Sequence, residues 1–221
     1  MTMTTPDLAL LGLLRLVSPA LPVGGFAYSQ GLEYAVDAGW VASADDTQAW
    51  LGGVVSCGLS QLDIPLLARL YDAAGDAESF SRWNQQVLAS RESLELRKEE
   101  QQMGRALWKL LRDLGQPLPR LDAPSWLAAF ALAASRWGLD RHQTCLGFLW
   151  SWLENQLTVA AKTVPIGQTD VQRISSALLP LLVTAAIEGQ ALEDDHISGG
   201  LPGLVLASML HETQYSRLFR S

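Results

Sequence analysis

The sequence predicts an all-α fold, a single-domain multi-helix bundle of about ten helices. Three observations carry this reading. Apolar residues recur at helical spacing almost throughout, no run of period-two alternation stands out, and turn signals do not recur at strand spacing. The 221 residues, 48% of them hydrophobic, are enough to bury a sizeable core. No internal repeat, low-complexity tract or flexible linker divides the chain. Residues 1–221 are therefore read as one domain, closed by a docking tail at about 212–221.

The elements follow in order. Thr5 is a candidate N-cap with Pro6 at the first helical position, and Leu10, Leu11, Leu14 and Val17 fall at helical spacing. "AYSQGLEYAVDAG" reads as the second helix, closed by Gly39. Ser43 can cap a third, running through Trp50 to about Leu59. After a loop, "IPLLARLYDAAG" gives a short helix stopped by Gly75. Residues 77–114 form one long helix or two in tandem, and "GQPLPRLDAP" is the clearest loop. Asp122 or Ser125 starts the next helix, and a longer one runs from Asp140 to about Thr163. "TDVQ" fits a capping box with Thr169 as cap, on a helix that must bend or break at Pro180. "SGGLPG" is a loop before the final helix and tail.

The formal net charge of −7 argues against a nucleic-acid binder. Two cysteines, Cys57 and Cys145, cannot build a disulfide framework and are compatible with a reducing cytoplasm. "MTMTTPDLALLGLL" lacks the basic start of a signal peptide. The longest apolar run, residues 177–187, is too short to span a bilayer, so a cytoplasmic protein without membrane contact is expected. "PVGGFAYSQG" has no lysine and cannot be a P-loop, and neither a G-x-S-x-G elbow nor an H-E-x-x-H helix occurs. His142 and Cys145 share a helical face, but two ligands make at most half of a closed metal site. "EDDH" at 193–196 reads as a solvated loop rather than a metal box. No catalytic, metal-binding or cofactor-binding residue is assigned.

Four segments stand out instead. In "SPALPVGGFAYSQGLE", Gly24 and Gly25 allow positive φ at a helix–loop–helix corner. A plain corner is the bland reading; the sharper one has Tyr28, Ser29, Gln30 and Glu33 displayed for a partner. "SRESLELRKEEQQMGRAL" carries an all-polar stretch, 97–102, read as a solvated face or as a charged docking face. In "AAKTVPIGQT", Lys162 lies in the last turn before Pro165, as a C-terminal cation or as an exposed recognition residue. "HETQYSRLFRS" has too much apolar content for a solubility tail and should dock on its own domain or on a partner.

These four blocks, in this order, resemble the UreF family of urease accessory proteins over nearly the whole chain. The resemblance implies an all-α protein without enzymatic activity or cofactor. It implies binding to UreD (UreH in some organisms), recruitment of the GTPase UreG, delivery of nickel to apo-urease, and a homodimer within the accessory complex. Lys162 matches the lysine of the family's K-x-V-P-(L/I)-G-Q block, with Ile166 a mild departure. Tyr28 and Glu33 match the F-(S/A)-Y-S-x-G-L-E block, and Arg217 and Arg220 match the tail. The candidate partner-interface residues are Tyr28, Ser29, Glu33, Glu92, Arg97, Glu100, Lys162, Gln168, Tyr215, Arg217 and Arg220. Two alternatives stand beside the inert adaptor. One is a regulator of GTP hydrolysis acting in trans, through Lys162, Arg97 or Arg105. The other is a direct nickel carrier.

Overall fold

The computed structural model describes residues 6–220, and among these every regular element is helical. Thr5 lies outside the described residues. α1 (Pro6–Leu16) starts at Pro6, but its stripe of Leu10, Leu11 and Leu14 is exposed, and the helix packs through Ala9 and Leu16 instead. The predicted helix over 27–39 shrinks to α2 (Leu32–Asp37), preceded by a 3-10 turn, Gly25–Ala27. Gln30 and Gly31 have φ of 53° and 82°, and two left-handed residues in succession interrupt a right-handed helix. Gly31 is also needed for space, because a Cβ there would lie 2.9 Å from the Ser208 nitrogen.

Ser43 caps α3 (Ala44–Gly53), accepting from the Asp46 amide. That helix does not end near Leu59, and no loop precedes Ile64. α3 passes through a π-helical segment, Val54–Asp63, into α4 (Ile64–Asp72), giving a 29-residue rod. Pro65 follows just after the π-helical segment, and the Gln61 carbonyl accepts from the Ser198 amide at 3.3 Å.

The 77–114 region resolves into α5 (Ala77–Ala89) and α6 (Leu94–Asp113), capped by Asp76 and Ser93. Ser125 caps α7 (Trp126–Arg136), and Asp140 with Gln143 forms a capping box on α8 (Arg141–Thr163). α9 (Gln168–Ala191) begins before Thr169, which is therefore not its cap; Asp170 instead accepts from the Gly167 amide at 3.2 Å. α9 does not break at Pro180. Pro180 and Ser176, whose carbonyl loses its partner, both lie on the exposed side, where water can take the bond. A short 3-10 turn (Asp194–His196), then α10 (Pro202–His211) and the tail, complete the described chain.

α7 is the centre. Its residues from Leu127 to Ala134 are all at 0% exposure, and α1, α4, α5, α6 and α8 pack around it. A helix apolar on every side must be enclosed by its neighbours. α6 comes close because Gly104 faces the turn that opens α7. The Ala44–Asp72 rod and α9 have the length and apolarity of membrane spans, but 61% and 39% of their most apolar windows are buried inside the protein.

The Gly104 approach gives a direct test. An alanine Cβ would stand 2.5 Å from the Ser125 carbonyl carbon and closer still to the Pro124 oxygen, both fixed backbone. Gly104→Ala is expected to lower stability by about 1–3 kcal/mol in urea unfolding.

Candidate tail-docking junction

Three of the segments singled out in the sequence converge on the fourth, the tail. Glu33 sits in the first turn of α2, where its charge suits the helix N-terminus. The expectation that it is displayed for a partner does not hold, since it is buried. Its Oε1 accepts from the Leu218 amide at 2.6 Å, and its Oε2 accepts from the Phe219 amide at 3.0 Å. His211 Nε2 lies 3.1 Å from the same Oε2, and His211 Nδ1 lies 2.8 Å from Glu95 Oε2 in the first turn of α6. Arg217 donates to the other Glu95 oxygen at 2.9 Å. The Leu94 amide donates to Glu212, and the Arg220 amide donates to the Ala27 carbonyl at 2.7 Å. Phe219 is buried beneath Lys162, whose Nζ is 5.5 Å from the ring centroid, a cation–π contact.

A second layer supports the corner. Tyr28 is buried and its hydroxyl donates to Gln102 at 2.6 Å. Burial and the nearby Glu99 carboxylate push this phenol up, while the hydrogen-bonded Arg220 guanidinium acts in the opposite sense. Gln30 bridges Glu99 and the Trp152 indole, each at 2.7 Å, which holds its left-handed backbone in place. Ser29 is also buried, so Tyr28, Ser29 and Glu33 lie inside the protein rather than forming an exposed set.

The polar 97–102 stretch is not uniformly solvated. Glu99 and Glu100 are buried. Glu100 accepts from the Leu127 amide at 2.9 Å and from Arg91, which also donates to Asp63 at 2.7 Å. Burial pushes the Glu100 carboxyl up, opposed by Arg91 and the Leu127 amide. Burial pushes the Arg91 guanidinium down, but the two carboxylates outweigh it and hold it above its ordinary value. These groups edge a cleft with a cavity volume of about 150 Å³, also bordered by Gln30, Trp152 and Asn155.

The remaining sequence candidates face outward. Glu92, Arg97, Lys162 and Gln168 are exposed, as are Arg217 and Arg220 by their outer edges. Tyr215 is wholly exposed, at 105%, and Leu218 is 74% exposed; Leu206 and Met209 of α10 are exposed as well. Sequence reading missed Glu95 and His211, which hold the junction together. Their signal was a carboxylate in a helix's first turn and a histidine ending an apolar helix, features too common to single out. For metals, the grouping found among the described residues is Glu193, Asp195 and His196, whose ligand atoms lie within 4.8 Å of one another on an exposed turn. His142 Nδ1 meets Gln190 at 2.9 Å, and Cys145 is buried.

Two outcomes follow. Burial pushes the Cys145 thiol up to about 12, whereas Cys57 is exposed. A thiol reagent at neutral pH should therefore titrate Cys57 in the native chain and reach Cys145 only after unfolding. Arg91→Met would strand Asp63 and Glu100 in the interior, with an expected loss of about 3–5 kcal/mol in chemical denaturation.

Comparison with known proteins places this geometry. The UreF family model matches residues 41–179. The chain is 52% identical to the urease accessory protein UreF of Chromohalobacter salexigens over 219 residues, covering 97% of this chain and 95% of that protein. It is 48% identical to the UreF proteins of Hahella chejuensis and Alkalilimnicola ehrlichii, covering 98% and 100% of this chain and 100% and 99% of theirs. With a match to more than half of the chain and relatives aligned over nearly all of it, the chain belongs to the UreF family of urease accessory proteins.

Proposed function

We propose that this chain is a non-catalytic cytoplasmic adaptor for urease maturation. It binds UreD (UreH) and recruits the GTPase UreG to apo-urease for nickel insertion, working as a homodimer within that complex. One observation supports the reading above others. The tail is gripped from inside through its backbone amides by Glu33, while Tyr215 and Leu218 stand in solvent. A buried clamp under exposed aromatic and aliphatic side chains is what a preorganised protein-binding surface requires. The outward stripe of Leu10, Leu11 and Leu14 on α1 is a further apolar face for a second copy to cover.

The test pairs Tyr215→Ser with Leu218→Ser. Neither side chain contributes to the core, so the fold should be retained. Affinity for UreD measured by calorimetry should fall by roughly tenfold to a hundredfold, about 1.4–2.8 kcal/mol. An unchanged affinity removes the tail from the UreD interface.

Regulation of GTP hydrolysis is a second reading, favoured by the position of Lys162. It is exposed, and its ammonium is held near the tail by the Phe219 ring. Hydrolysis by UreG in the complex, with and without Lys162→Ala, decides it. Equal rates with intact assembly rule the lysine out.

A further inference from the structure

Helix α6 turns its charges to opposite sides. Its carboxylates Glu95, Glu99 and Glu100 are buried and engaged inward, by His211 and Arg217, by Gln30, and by Arg91. Its five cations, Arg97, Lys98, Arg105, Lys109 and Arg112, are all exposed. A solvated helix gains by lacing its own charges at i, i+4. Here Lys109 and Asp113 do so, whereas Arg97, Lys98, Arg105 and Arg112 make no ion pair among the described residues. Lys98, Arg105 and Arg112 stand seven residues apart, so they recur about 10.5 Å apart along the axis and drift by only about 20° per step. They form one basic line on a chain of net charge −7, with the exposed Leu94 one turn before its start. Gln102, between Lys98 and Arg105, takes the Tyr28 hydroxyl, and the Arg220 guanidinium hydrogen-bonds that same hydroxyl. The tail thus adds a cation to the line.

We propose that the outer face of α6 is a docking surface for an acidic helical segment of a partner protein. A helix laid alongside presents carboxylates at the same two-turn interval as the cations. Arg105 and Arg112 can each take a carboxylate with two parallel N–H bonds, and Lys98 meets one as a point charge. Leu94 offers an apolar contact at one end. A polyanion fits this face less well. The net charge of the chain repels it at range, and like charge stands at both ends of the line, Asp113 at one and Glu92 with Glu212 at the other. A nucleic-acid duplex or an anionic bilayer, broader than one helix, would meet those acids. A helix about 21 Å long fits between them. The docking surface does not rest on the tail being the UreD surface.

The probe is a synthetic helical peptide with three glutamates seven residues apart and a leucine at each end, set against the same peptide carrying glutamines. Each is titrated into the intact 15N-labelled chain at low salt and followed by the amide shifts of α6. The glutamate peptide should bind about tenfold more tightly than the glutamine one, with the shifts confined to α6 and the tail. That advantage should vanish at about 0.5 M salt, where the screening length is only a few ångströms. Lys98→Glu, Arg105→Glu and Arg112→Glu are then combined. All three side chains are exposed, so the fold should be retained, as amide dispersion would show. This variant should lose the preference for glutamate and take a lysine peptide instead, an exchange that a merely structural change does not produce. Equal binding of the two peptides to the native chain overturns the proposal, as does a preference that survives the triple reversal. Tighter binding of a DNA duplex or of phosphatidylserine vesicles to the same face overturns the helical occupant. Tyr215→Ser and Leu218→Ser leave the three cations in place, and the triple variant leaves both tail side chains, so the failure of either surface is read separately.

Discussion

A helix without a solvent face is the constraint on which the rest of this molecule depends. α7 offers its neighbours only Leu, Ala and Phe side chains from Leu127 to Ala134. Its first turn is buried too, so its amide donors need partners from within the protein. Ser125 takes the Ala128 amide, and Glu100 takes that of Leu127. A buried carboxylate needs a cation, which Arg91 supplies, and Arg91 in turn engages Asp63. The charge cluster is thus a consequence of enclosing α7. Gly104 answers the same demand, giving the opening turn of α7 room against α6.

The tail junction obeys similar logic at the surface. A segment with few apolar contacts of its own is held because its amides reach carboxylates already fixed in the first turns of α2 and α6. Charge-assisted bonds from backbone N–H to carboxylate are stronger than neutral ones, and they leave side chains free. Phe219 turns inward, whereas Leu218 beside it turns out. The bend at Leu218 and Phe219 separates an anchoring side chain from an outward one within two residues.

Local signals were legible in the sequence, and long-range ones were not. Ser43, Ser125 and Asp140 each cap the helix that follows them, because capping depends on neighbours two or three residues away. The α2 boundary was misread because Gln30 is held left-handed by Glu99 and Trp152, distant in sequence. The rod from α3 to α4 was misread because no local signal marks the π-helical segment that joins them. Glu99 and Glu100 look solvated in a polar run, and only the fold brings Gln30 and Arg91 to them. Of the junction, Tyr28, Glu33, Lys162 and the tail were visible as segments. Their convergence, and the parts of Glu95 and His211, were not.

The contact between Glu33 and the Leu218 amide joins positions 185 residues apart in the chain. Closing so wide a loop costs entropy that rises only with the logarithm of its length, so the expense is modest once the intervening helices are in place. Before that, the two ends have no reason to meet. The junction is thus a late event in folding, formed after the packing that positions α2, α6 and α10. Its surface exists only on chains whose interior is already complete, so a partner that bound there would take up finished molecules alone.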